Sequence, residues 1–157
     1  MLLTNFLKWT LNNQTYTNLG GTNTGQGSMG GNISAYVNGG TAYYGVSAMG
    51  SYVDVGFGNT PEDPSDYKLA NSNAIDTPTL TFISNGYAAS GTYPYVRNLT
   101  TTYANNTANP VTITEVGYVQ QSTGSLNNSI LMTRTVLDSA IIVPPGGTVA
   151  ISITLEC

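Results

Sequence analysis

The sequence predicts an all-β protein: an antiparallel β-sandwich or jelly-roll-like domain of about eight to ten strands, preceded by an arm that is extended or a short helix. Three observations carry this. The run that closes the chain alternates with a period of two, so Val149, Ile151, Ile153 and Leu155 share one face while Thr148, Ala150, Ser152, Thr154 and Glu156 take the other. Short apolar runs are separated by clusters of Gly, Asn and Pro, the residues that turns require. No segment holds a helical apolar period long enough for a long helix. A hydrophobic wall built of such strands must be covered by a second layer.

Residues 1–14 read as the arm and 15–157 as one domain, long enough for a real core. In the arm, Leu3, Phe6, Leu7 and Trp9 form an apolar segment holding the only tryptophan. Phe6 and Trp9 are candidate contacts to a neighbouring subunit, where Trp is a frequent anchor. The segment lacks a basic start and is broken by Asn5 and Lys8, so it does not read as a secretory leader.

Gly-Gly pairs at 20–21, 30–31 and 39–40 punctuate candidate strands at Thr15–Asn18, Asn32–Val37 and Thr41–Ala48, a hairpin meander. Tyr52 to Gly58 reads as a strand ending at a glycine corner. Asn59–Leu69, with two prolines and three acids, reads as an ordered loop with one helical turn begun at Asp63 or Ser65. Thr79–Ser84 is a strand with Leu80 and Phe82 on one face, Asn85-Gly86 a turn, and Tyr93–Tyr103 a strand or two with a break at Asn98. The closing third adds strands at Val111–Val119, Ile130–Leu137 and Val149–Leu155, the last entered through Val143-Pro144-Pro145-Gly146-Gly147. The apolar phase changes between Ile113 and Val116, which predicts a β-bulge near Glu115.

Composition narrows the function. Only 8% of residues are charged, against roughly 25% in ordinary soluble domains. Thr, Asn, Gly, Ser and Tyr fill the gap and predict a neutral, hydrogen-bonding surface suited to tiling against copies or neighbours. A net charge of −4 with four scattered basic residues, Lys8, Lys68, Arg97 and Arg134, argues against nucleic-acid binding. No apolar run reaches the ~18–20 residues of a membrane-spanning helix. The single cysteine, Cys157, allows no intrachain disulfide and reads as a free thiol, consistent with folding in a reducing cytoplasm.

Chemistry is sparse. The absence of histidine removes the commonest general base and most zinc and iron sites. Gly56-Phe57-Gly58 lacks the third glycine, the Lys-Ser/Thr and the helix of a phosphate-binding loop. Asp54, Asp76, Asp138 and Glu115 lie near strands but are expected to be solvated or turn-capping acids. Glu62, Asp63 and Asp66 do not match a calcium loop. The reading is therefore of a non-enzyme with no cofactor and no metal. Among the eleven tyrosines, Tyr36, Tyr43, Tyr44, Tyr93 and Tyr95 are candidate interface or sugar-stacking residues, because Tyr buries area at low entropic cost and keeps a hydroxyl.

Val53-x-Val55-Gly56-x-Gly58-Asn59-Thr60-Pro61 followed by Asp66-Tyr67-x-Leu69 resembles a signature of small structural proteins of tailed bacteriophages. So do Asn5–Trp9, Ile130–Asp138 and Val143–Val149, so the resemblance covers most of the chain, residues 18–50 least. It implies a virion component assembled in the host cytoplasm, head- or tail-associated, with capsid decoration as the first expectation. Its partners would be copies of itself and other virion proteins, and the alternative is a tail or fibre component or a lectin-like module binding a host surface glycan. Within that resemblance Gly56, Gly58, Asp66 and Tyr67 look like a structural loop lock, the carboxylate capping a turn with the phenol packed beneath it.

Overall fold

The computed structural model describes residues 16–17, 19, 21, 23–24, 52–89, 96–120 and 129–156. Among these the protein is all-β. Strands β1 (Tyr16–Thr17) and β2 (Asn23–Thr24) form a two-residue antiparallel pair. The body is built from β3 (Tyr52–Gly56), β4 (Thr81–Ala89), β5 (Val96–Ala104), β6 (Val111–Gln120), β7 (Ile130–Val143) and β8 (Thr148–Glu156). They make two three-stranded antiparallel sheets, ordered β3-β6-β7 and β4-β5-β8. The two body sheets therefore hold six strands among the described residues, fewer than the eight to ten expected of the sandwich, and β1 and β2 are two residues each. The arm and the candidate strands at 32–37 and 41–48 lie outside the described residues.

The two sheets share one apolar core. Val53 and Val55 of β3, Val111, Ile113, Val116 and Tyr118 of β6, and Ile130, Met132 and Val143 of β7 meet Leu80, Leu99, Tyr103 and Ile151 from the side of the second sheet. The alternation in β8 behaves as its pattern dictates: Val149, Ile151 and Ile153 pack inward, while Thr148, Ala150, Ser152 and Thr154 are exposed. The closing third does not form one wall. β7 hands over to β8 in the opposite sheet through Pro144–Gly147, where Gly146 sits at φ 71. That corner is pinned by the buried Asn105. Its backbone N–H donates to Gly147 O at 2.9 Å, its O accepts from Gly146 N at 2.8 Å, and its side-chain amide donates to Val143 O at 2.9 Å.

One sequence reading is corrected here, and of the alternatives of one strand or two over Tyr93–Tyr103 the described part, from Val96, is one. Asn85-Gly86 is not a turn: both lie inside β4, paired with Thr101 and Thr100, because pairing to β5 runs on to Ala89. Asn98 does not break β5, which continues past it with Asn98 opposite Thr154. Where a helical turn was expected there is a tight turn, with Asp66 N donating to Asp63 O at 3.0 Å and Ser65 N to Asp63 Oδ1 at 2.7 Å.

The first sheet is covered on both faces. Opposite the shared core, Tyr52, Val119 and Leu131 pack against Leu19 and Leu69, with Ala74 and Ile75 beside them. Of the covering residues, Leu19 lies between β1 and β2, and Leu69, Ala74 and Ile75 belong to the long connection 57–80, here called the strap. It also closes the edge of β3: Phe57 N donates to Asn71 O at 3.0 Å and Asn73 N to Val55 O at 2.8 Å. Further along the same edge, Val53 N donates to Thr101 Oγ1 at 2.8 Å and Val53 O accepts from Tyr103 Oη at 2.7 Å. An open edge would be a template for stray pairing, and here side chains of the second sheet occupy it.

Candidate functional site: a charged staple beneath the strap

Two adjacent strands of the first sheet, the central β6 and its neighbour β7, each carry a charged residue at a position whose parity points into the apolar core. On β6, Val111 and Ile113 face the core, so a regular strand would send Glu115 after them. On β7, Ile130 and Met132 do, so Arg134 would follow. Neither goes there. The β6–β7 register shifts between Ile113 and Glu115 and again between Tyr118 and Val119. At the first shift one residue of β6 faces four of β7, residues 137–140; at the second, Met132 is the extra residue on β7. The first shift falls where the apolar phase changes. Together the two irregularities turn Glu115 and Arg134 onto the strap face, beside Asp54 of β3. Re-aiming a side chain is what a bulge does.

There the charges are sealed. Arg134 is 1% exposed and Glu115 0%. Arg134 Nε donates to Glu115 Oε2 at 2.8 Å and its Nη1 to Asp66 Oδ2 at 2.6 Å. The guanidinium also donates to the strap, to Pro61 O at 3.2 Å, to Thr60 O at 2.9 Å and to the Thr60 hydroxyl at 3.1 Å. Glu115 in turn accepts three strap amides, Gly58 N at 3.1 Å and Asn71 N at 3.0 Å on Oε1, and Ala70 N at 3.2 Å on Oε2. Glu62 Oε1 accepts Val136 N at 2.8 Å. Burial pulls the guanidinium down, but the carboxylates of Asp66 and Glu115 outweigh it and hold Arg134 above its ordinary value. A buried ion pair stabilises only when its leftover donors and acceptors are also met, and here the strap meets them.

The glycine corner has a clear steric reason. A Cβ on Gly56 would lie 2.5 Å from Glu115 Oε1, and one on Gly58 would lie 2.6 Å from the Ala70 Cβ. The Gly-x-Gly that superficially resembles a phosphate loop thus encloses the protein's own carboxylate.

The second carboxylate beneath the strap is Asp54, also buried. Its Oδ1 accepts Val55 N at 2.9 Å and Ala74 N at 3.2 Å, and its Oδ2 is 2.6 Å from Ser72 Oγ. Burial pushes the Asp54 carboxyl up to about 7, against the hydrogen bonds from Ser72, Val55 and Ala74, and Glu115 adds to the rise. Tyr52 and Tyr103 are both raised, first by burial and then by the charge of Asp54.

Of the four loop-lock residues, Gly56 and Gly58 surround the Glu115 carboxylate. Asp66 accepts both Arg134 and the Asp63 N–H, the latter at 2.9 Å. Tyr67 is half-buried with its ring beside the left-handed Gly21, a Cβ there lying 3.5 Å from Tyr67 Oη. Phe6, Trp9, Tyr36, Tyr43, Tyr44, Tyr93 and Tyr95 lie outside the described residues. Two acids are not as expected: Asp54 and Glu115 are neither solvated nor turn caps, because the bulges and the strap enclose them. Asp76 does cap, accepting Ser72 N at 3.0 Å while pairing with Lys68. The acids of the 62–66 loop are engaged separately, Asp63 with Ser65, Asp66 with Arg134 and Glu62 with Val136, and no group of metal-ligating side chains forms among the described residues. Among the same residues no helix is long and apolar enough to cross a membrane.

Against known proteins, the chain matches no family model, no curated protein and no solved structure.

Proposed function

We propose that the protein is a non-enzymatic virion structural protein, a capsid decoration or head-associated component that packs against its neighbours through an uncharged β face. The observation that supports this best is the outer face of the β4-β5-β8 sheet. The inward positions of β5 and β8 are Leu99, Thr101, Tyr103, Val149, Ile151 and Ile153, so Asn98, Thr100, Thr102, Thr148, Ala150, Ser152 and Thr154 line the other side. None is charged. The hydroxyls pair across strands, Thr100 Oγ1 with Ser152 Oγ at 2.7 Å and Thr154 Oγ1 donating to Asn98 Oδ1 at 2.6 Å. The neighbouring strand β4 carries no charged residue; its exposed Phe82 (51%) lies on the inward side, edge-on to Tyr103, and Ile83 (50%) sits at the register shift beside it. A flat, neutral face desolvates cheaply against a neighbour, and a stable interface needs about 1,200–2,000 Å² of total buried area. The sealed state of Asp54 and Glu115 supports the non-enzymatic part, since a glycosidase pair must face a substrate cleft. The phage assignment rests on the sequence resemblance, and the two-layered sandwich that would complete the fold is part of the same proposal.

The alternative is a tail, fibre or lectin-like module whose tyrosines stack on a host glycan. Quantitative mass spectrometry of purified phage particles against the major capsid protein separates the readings. A ratio near one, or a simple fraction of it, fits decoration; a few copies per particle fits tail or fibre; absence from particles removes the virion reading.

A further inference from the structure

Beneath the strap, two carboxylates, Glu115 and Asp66, hold the one guanidinium, and a third, Asp54, is buried without it. Arg134 is committed to Glu115 and Asp66, and Lys68 pairs with Asp76 at the strap surface. Asp54 makes its hydrogen bonds to neutral groups among the described residues: two backbone N–H groups and the Ser72 hydroxyl. The groups facing it are Tyr52 on its own strand, Glu115 on β6, Tyr103 on β5, and Ser72 and Ala74 on the strap. None of these supplies a positive charge. An unpaired carboxylate so deeply buried is costly, and the usual relief is to keep a proton.

The geometry accommodates that proton. Oδ1 acts as a carbonyl toward the Val55 and Ala74 amides. Oδ2, at 2.6 Å from Ser72 Oγ, can donate instead of accept, and the same Ser72 Oγ accepts Ile75 N at 3.1 Å. Two of the groups that hold Asp54, Ser72 and Ala74, belong to the strap. We propose that Asp54 carries a proton when the strap is closed, and that this proton latches the strap, so that strap opening is linked to pH.

The sign follows from linkage. In the open strap Asp54 is solvated and titrates near its ordinary value of 3.8; in the closed strap it titrates near 7. Below both values the proton is bound in either state and the latch is fully closed. Between them, opening releases a proton and becomes easier by up to tenfold per pH unit. Above the upper value the effect levels off.

The test uses the whole chain. NMR titration of the Asp54 carboxyl carbon in the wild type should give a midpoint near 7, and a midpoint below about 5 overturns the proposal. Amide exchange at Ala74, corrected for the intrinsic pH dependence, should speed up at least tenfold between pH 5 and pH 7 and then level off. In Asp54→Asn, which keeps the shape and lacks the titration, that dependence should vanish. A midpoint near 7 with unchanged Ala74 exchange also overturns it, and both readouts on the wild type stand if Asp54→Asn does not fold.

Discussion

The two sheets solve the same problem in opposite ways. The β3-β6-β7 sheet is covered on both faces, by the second sheet on one side and by the strap on the other, and it pins the strap with buried charge. Among the described residues the β4-β5-β8 sheet is covered on one face only, and its outer face is lined by hydroxyls and small side chains up to Glu156 at the end of β8. In a chain this poor in charge, Arg134, Glu115 and Asp54 lie inside, beneath a segment with no regular structure of its own. A loop that makes few backbone ladders has many N–H groups to satisfy. Glu115 accepts three of them and Arg134 donates to two strap carbonyls, Thr60 and Pro61. Charge here orders a loop, while the neutral face is the surface that the proposed function assigns to contact.

Breaking the staple should have the largest effect. Arg134→Ala leaves Glu115 buried without its guanidinium and should destabilise by about 3–5 kcal/mol, read as a shift in the denaturant midpoint at unchanged slope. Glu115→Leu combined with Arg134→Met should cost less than Arg134→Ala alone, because no buried charge is then stranded. A double variant as damaging as the sum of its parts would mean that packing and not charge holds the strap. A smaller loss, about 1–3 kcal/mol by the cost of overpacking, is expected for Gly56→Ala, whose Cβ meets Glu115 Oε1. The smallest concerns the other sheet. Ser152→Ala should change stability by no more than about 0.5 kcal/mol, as for surface positions in general, whereas Ser152→Lys on the neutral face should reduce incorporation into particles at equal stability.

The parts of the fold written in local pattern were legible beforehand. Period-two alternation gives β8, the phase slip from Ile113 to Val116 marks the register shift, and Pro144–Gly147 marks the corner. Asn85-Gly86 misled because a turn dipeptide says nothing about a partner strand that continues to pair beyond it. The charged staple was not legible, since Glu115 and Arg134 lie nineteen positions apart and meet only after two separate bulges turn them to one face. One trace existed: each is a charge at an inward-facing parity of an apolar strand. A lone charge at such a position signals either a surface strand or a bulge with a buried partner, and only the structure, where no Cβ fits at Gly56 or Gly58, decides for the second.

The most direct test of the staple is native-state hydrogen exchange at Gly58, Ala70 and Asn71, the three strap amides that donate to Glu115. If buried charge anchors the strap, these amides exchange as slowly as those of β6, since releasing them exposes Glu115 and Arg134 together. Exchange at the rates of an exposed loop, with β6 still protected, would show that the strap opens without disturbing the sheet and would contradict the account.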